Sequence, residues 1–228
     1  VKLYEDWLST NSIKNPIDTV RYGNQTIDMK VKSGIDSTVK TWFLSRPNLI
    51  QDIIESAPTN ASETTRNELE ELIQTMSNIT QDEWLFALRA EEDHIGIWIE
   101  FCTAHKLDVT RGDLEMVESA SDPILFYLKD LVNRPRPHQL ASYLDLELYP
   151  LIHTDASSAA YPSGHALNST LFGLLLAEKY PKFATEFLEI ARRVGFSREQ
   201  AGLHYPSDSA ISKKIAQIIF TEKLIEFK

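Results

Sequence analysis

Three short blocks in the last hundred residues of this 228-residue chain combine side chains able to hold an anion and move a proton. The first is Lys129-Asp130-Leu131-Val132-Asn133-Arg134-Pro135-Arg136-Pro137. Pro135 and Pro137 stop a helix and stiffen its exit, so Lys129 at the helix end and Arg136 on the extended segment become two fixed cations. A guanidinium grips an oxyanion bidentately and an ammonium adds a point charge. The second block, Tyr161-Pro162-Ser163-Gly164-His165, opens a helix. Ser163 is a good cap, Gly164 lets a ligand approach the backbone, and the free N–H groups of a first helical turn form an anion site. His165 stands beside that site and can exchange a proton near neutral pH. The third block runs Ser197-Arg198-Glu199-Gln200-Ala201-Gly202-Leu203-His204-Tyr205-Pro206-Ser207-Asp208. Pro206 fits the first turn of a final helix, with Asp208 close to its start and His204 just before it. Asp208 can hold one ring nitrogen of His204 protonated and leave the other bare for attack, while Arg198 adds a second guanidinium. Taken singly, the blocks also read as a Pro-rich turn with solvated cations, a capped helix start and a local capping contact.

The elements that must bring these blocks together read as helices. The first sixty residues carry turn signals at Asn15-Pro16, Gly23-Asn24 and Ser33-Gly34, and a weakly amphipathic stretch ends near Ile54. From Thr65, Leu69, Leu72, Ile73 and Met76 recur at helical spacing. Thr80-Gln81-Asp82-Glu83 has the form of a capping box, starting a second helix that runs to about His105. Asp113–Ser119 reads as a short helical piece, and Asp122 with Pro123 as the start of another ending near Val132. Ser163–Tyr180, Pro181–Val194 and Pro206–Glu226 complete the set. Strict period-two alternation is scarce and no repeat is visible. The expectation is an all-α, multi-helix bundle forming a single domain over 1–228, in which 1–120 is helical without a motif and 121–228 carries the three blocks.

Composition narrows the function. Lys+Arg total 23 against 33 Asp+Glu, a net charge of −10, which argues against a general nucleic-acid binder. The charge is uneven: residues 1–128 hold 22 acidic and 11 basic side chains, and 129–228 hold 11 and 12. The segment with the motifs is therefore near neutral and can gather cations locally. Its most apolar run, Leu171–Ala177, is far short of the ~20 residues a bilayer span needs, so no membrane span is expected. Val1–Asp6 is mixed and charged, without a secretory apolar stretch. The expected compartment is the periplasm or exterior if a signal peptide has been removed, and otherwise the cytoplasm. Cys102, the one cysteine, reads as a buried structural thiol. Glu91-Glu92-Asp93-His94 contains Glu-x-x-His, but a carboxylate-bridged metal bundle needs a second copy, and none exists; it reads as a solvated acidic helix face.

In order, the blocks spell Lys-x6-Arg-Pro, Pro-Ser-Gly-His and Ser-Arg-x5-His-x3-Asp. Over about 80 residues, 129–208, this resembles the type 2 phosphatidic acid phosphatase superfamily, which includes bacterial class A acid phosphatases and vanadium haloperoxidases. The resemblance implies that family's all-α fold and metal-independent phosphate monoester hydrolysis. It further implies phosphate binding by Lys129, Arg136, Ser163, Gly164 and Arg198. His204 would attack phosphorus, Asp208 would orient it, and His165 would serve as general acid and then base. Length and the Gly-x-His-Tyr-Pro-Ser-Asp context lean toward the soluble class A acid phosphatases. The implied substrate is a small phosphorylated molecule, with no cofactor, and vanadate as inhibitor. Two alternatives stand beside it: a haloperoxidase that takes vanadate as cofactor in the same pocket, and a non-catalytic anion-binding or structural protein. Transfer to an alcohol instead of water would use the same intermediate. His138, Tyr143, Tyr149, His153 and Tyr161 are candidates for the leaving-group pocket, and the oligomeric state, a homo-oligomer included, is left open.

Overall fold

The computed structural model describes residues 16–23, 38–153 and 158–227. Val1–Asp6 and the turn signal at Ser33-Gly34 lie outside the described residues, and those at Asn15-Pro16 and Gly23-Asn24 lie partly outside. Among the described residues there are no strands, and the helices are α1 (Thr38–Leu44), α2 (Pro47–Glu55), α3 (Glu63–Ser77), α4 (Gln81–Ala104), α5 (Arg111–Val132), α6 (Pro137–Ala141), α7 (Gly164–Lys179), α8 (Ala184–Gln200) and α9 (Pro206–Thr221). Short 3-10 turns occur at Pro16–Thr19, Ser142–Leu144 and Pro181–Phe183.

Capping chemistry sets most of the boundaries. Ser62 accepts the Thr65 N–H to start α3, and Thr80 with Glu83 closes the expected capping box at the start of α4. A second box, Thr110 with Asp113, starts α5. This overturns the expected division at Asp122–Pro123: α5 is continuous, with Pro123 inside it and buried. Proline removes one backbone donor from the ladder, but burial of the surrounding side chains holds the helix through that point. Helix α8 likewise runs past Val194 to Gln200, which places Arg198 on its last turn, and α9 stops at Thr221 rather than near Glu226.

Helix α7 is the centre of the bundle. It packs against α8, α9 and α5, while α8 also meets α4 and α3. The apolar run anticipated along it is core: Leu167, Leu171, Phe172, Leu175 and Leu176 are all buried, as expected for a helix enclosed on several sides. Trp98 of α4 meets Phe172 edge-on at 5.8 Å between centroids and lies nearly parallel to Phe187 of α8 at 6.3 Å. Close approach of α7 to α8 depends on Gly173, where a Cβ would come within 3.0 Å of Ala191 Cβ and 3.2 Å of the Phe187 carbonyl. Cys102 is buried and unpaired, and burial pushes its thiol up to about 11. Among the described residues no helix is long and apolar enough to cross a membrane.

Candidate active site

Helix α5 delivers Lys129 on its last turn and ends at Asn133, whose φ of 46° places it in the left-handed region. Arg134-Pro135-Arg136 then leaves the helix, and Pro137 starts α6 with Arg136 at its N-cap. The exit segment clasps the chain ahead of the second block. Lys129 Nζ donates to the Ala159 carbonyl, Arg136 Nε to the Ser158 carbonyl at 3.0 Å, and Ala160 N–H to the Arg134 carbonyl at 3.0 Å. Arg136 Nη1 also donates to the Leu203 carbonyl at 2.8 Å. Both cations are thus buried against main-chain carbonyls. Burial, and then their mutual repulsion, holds Lys129 well below the ordinary lysine range. Burial brings Arg136 down to about 10, partly offset by Asp208.

Ser163 caps α7, its Oγ accepting the Ala166 N–H at 3.5 Å, and Ser212 of α9 ties down its carbonyl at 2.9 Å. The Gly164 and His165 N–H groups, which open α7, have no carbonyl partner within the helix and can serve an anion. Gly164 has a packing reason as well: a Cβ there would lie 3.1 Å from Leu125 Cδ2. His165 Nε2 lies 3.0 Å from the Ala90 carbonyl. A carbonyl can only accept, so Nε2 carries the proton and Nδ1 is the nitrogen left for exchange. Burial, then Arg198, His94 and His204, holds His165 well below the ordinary histidine value.

Arg198 is 2% exposed and donates from Nη2 to Glu91, while its Nε and Nη1 have no hydrogen-bond partner. Buried guanidinium donors without acceptors carry a desolvation cost that an arriving oxyanion would remove. From the end of α8 the chain turns through Gly202, at φ +72°, a left-handed conformation that glycine adopts without strain. His204 follows directly. Its Nδ1 lies 3.2 Å from Asp208 Oδ2, and its Nε2 lies 2.9 Å from Arg136 Nη1. Arginine can only donate, so Nε2 is the bare nitrogen and Nδ1 the protonated one. Burial, then Arg136, Lys129 and Arg198, keeps the ring neutral to well below the usual histidine range.

The eight residues expected at the site lie at the ends of α5, α7, α8 and α9, at the N-cap of α6 and in the turn between α8 and α9, and hydrogen bonds join Arg136, His204 and Asp208 directly. Four further residues bear on the site. Arg134, which carries no expected role, is buried between Asp208 at 2.7 Å and Glu68 at 2.8 Å. Glu91 holds Arg198, and the His94 ring lies 4.8 Å from that of His165 between centroids, tilted by 57°, with Glu118 Oε1 3.4 Å from His94 Nε2. The expectation of a solvated acidic face at 91–94 holds for Glu92 and Asp93, which are exposed, and is corrected for Glu91 and His94, which are half-buried against the site. Asp93 has non-helical backbone angles, caps the Gly96 N–H at 2.9 Å and pairs with Arg111 at 2.6 Å, and at this kink Glu91 and His94 engage the site. Among the suggested leaving-group residues, Tyr161 is fully buried with its hydroxyl donating to the Ile53 carbonyl, whereas His138, Tyr143 and Tyr149 are exposed. Among the described residues no three His, Cys, Asp or Glu side chains gather as a metal site.

Residues 119–221, which contain the whole cluster except its α3 and α4 contributions, match the profile of the PAP2 superfamily. The bundle is the fold of that family: it resembles the crystal structure of a transmembrane PAP2 type phosphatidylglycerolphosphate phosphatase from Bacillus subtilis, with a TM-score of 0.53. The two share 18% identity, and the similarity covers 85% of this chain and 100% of the other. Two proteins named lipid A 1-phosphatase are similar in sequence. That of Rhizobium etli is 31% identical over 81 residues, covering 36% of this chain and 34% of the relative. That of Rhizobium johnstonii is 31% identical over 81 residues, covering 36% and 33%. The matched stretch spans about a third of the length of each relative.

Proposed function

We propose that this chain is a phosphatase of the PAP2 superfamily that hydrolyses phosphate monoesters through a phosphohistidine at His204. The observation that carries this is the state of the His204 ring. Asp208 accepts the hydrogen bond from Nδ1–H, and the bare Nε2 lies against Arg136 among buried cations. Lys129, Arg136, Arg198, Ser163 and the Gly164 end of α7 bind the three non-bridging oxygens, so that charge building on them is met by groups already in place. Nε2 attacks phosphorus as the bond to the ester oxygen breaks, and protonated His165 gives that oxygen its proton. His165 then takes a proton from water as the hydroxide forms a bond to phosphorus and the phosphorus–nitrogen bond breaks. Phosphate leaves and His204 is restored. The chemistry needs no redox partner, and vanadate, a phosphate mimic, is expected to inhibit.

The relatives named for lipid phosphates favour a second choice of leaving group over the small soluble ester. Trp84 and Leu151 are exposed and in contact, Trp84 Nε1 donating to the Leu151 carbonyl at 3.4 Å, with Tyr149 exposed two residues earlier, and such side chains suit an acyl-bearing substrate. A screen of soluble phosphomonoesters, diphosphates and lipid phosphates across pH, with wild type and His204→Ala, separates these choices. Turnover that survives His204→Ala, or oxidation of halide with vanadate and peroxide without any phosphate release, would replace the proposal.

A further inference from the structure

We infer that Arg134 and Glu68, from outside the phosphate cradle, are positioning residues that fix the Asp208 carboxylate and so keep His204 in its attacking tautomer. The inference rests on the phosphohistidine proposal and extends it to two residues with no place in the three blocks' binding roles.

The contacts form a closed figure. Arg134 Nη1 donates to Asp208 Oδ1 at 2.7 Å and to Ser207 Oγ at 2.7 Å. Its Nη2 donates to Glu68 Oε2 at 2.8 Å, and the other oxygen of Glu68 accepts the Ser207 N–H at 2.6 Å. The guanidinium also lies 3.7 Å over the Tyr205 ring, which fixes its plane. Glu68 of α3 therefore fastens both the arginine and the first turn of α9, the turn that carries Asp208.

The consequence falls on one carboxylate. Asp208 Oδ1 is occupied by Arg134, and Oδ2 receives the Tyr205 N–H at 3.0 Å and the His204 Nδ1. With two of its contacts set by the buried Arg134 and by the Tyr205 main chain, the carboxylate presents Oδ2 to Nδ1 in a single orientation. A well-placed acceptor at Nδ1 is what leaves Nε2 without a proton. A buried arginine between two carboxylates adds little stability over well-packed apolar side chains. Burial opposes its charge, and Asp208, Tyr205 and Glu68 together outweigh that opposition. What the cluster supplies is orientation.

Arg134 touches no phosphate ligand, so its loss should reduce kcat and leave KM nearly unchanged. Arg134→Met and Glu68→Gln are each expected to lower kcat on the order of 10–100-fold, the size seen for outer partners of ligating imidazoles. Arg134→Lys, which can keep one bond to Asp208, should fall between wild type and Arg134→Met. The readout independent of turnover is the ¹⁵N spectrum of histidine-labelled protein, with the His204 signals assigned from His204→Asn. Wild type should show Nδ1 protonated and Nε2 bare, and Arg134→Met a mixture of tautomers. Wild-type kcat together with an unchanged His204 spectrum in both Arg134→Met and Glu68→Gln would overturn the inference. If wild type proves inactive, the phosphohistidine proposal falls on its own, and the spectra still decide whether Arg134 sets the tautomer. Should Arg134→Met fail to fold, Arg134→Lys and Ser207→Ala read the same relation in milder form.

Discussion

Arg136 Nη1 lies 2.9 Å from His204 Nε2, the nitrogen proposed to attack. On that proposal the guanidinium covers the lone pair until an entering phosphoryl group draws it onto its own oxygens. One arginine would then couple binding to exposure of the nucleophile.

Replacing Arg136 tests that coupling. Arg136→Ala removes donors from the cradle and is expected to lower kcat/KM on the order of 10²–10³-fold, as for other preorganised anion donors. Arg136→Lys keeps charge but not the planar fork, and should recover only part of the loss. Steady-state kinetics on a soluble phosphomonoester provides the check.

Stability should depend on pH through the histidines. Both His165 and His204 have their folded values depressed, by burial first and then by neighbouring cations. The unfolded chain binds a proton at each below about pH 6.5 while the folded chain does not, so stability is lost as pH falls from there toward the folded values. Glu199, raised to about 7 by burial, works in the opposite sense between its unfolded value and 7, since its folded form holds the proton. The two rings, with His138 lowered in the same sense by burial and Arg136, outweigh that one carboxyl, so stability should fall as pH drops below about 6.5. Chemical denaturation from pH 5 to 7.5 measures the loss, and His165→Asn with His204→Asn should remove most of it.

The same linkage governs anions. A bound phosphate or vanadate offsets the repulsion that depresses both rings, so binding takes up protons and affinity should rise as pH falls from 8 to 6. Calorimetry in buffers of differing ionisation enthalpy counts the protons. Uptake should be lost in His165→Asn if that ring carries the proton for the leaving oxygen.

Glu91 offers a separate test. It pairs with Arg198 and is expected to compete with phosphate for that guanidinium. Glu91→Gln should destabilise the protein without added phosphate by a few kcal/mol, because a buried charge loses its partner. It should also increase the thermal stabilisation that inorganic phosphate confers, compared with wild type. Equal stabilisation of the two proteins would show that Glu91 does not compete.

The eight residues proposed to bind and cleave could be singled out in the sequence because each block is compact: a proline exit, a capped glycine turn, and a histidine four residues before an aspartate. Helix type was legible for the same local reasons, in the capping box at Thr80 and the spacing from Leu69 to Met76. Glu68, Glu91 and His94 were not, because their roles exist only across 66, 107 and 71 positions of chain respectively. No periodicity distinguishes a glutamate that folds inward from one on a wet face. Arg134 stood inside the first block, yet its burial is a property of α3 and α9 closing over it. Pro123 misled in the opposite direction, since a proline that usually begins a helix sits inside one once packing on both sides holds it.

The most direct measurement is of the covalent intermediate. His165→Asn, incubated with a reactive phosphomonoester and quenched at alkaline pH where phosphohistidine survives, should gain one phosphoryl group on His204 by peptide mass spectrometry. The same treatment of His165→Asn/His204→Ala should yield none. Phosphate release by wild type with no label on His204 at any quench time, or label on another residue, would contradict the account.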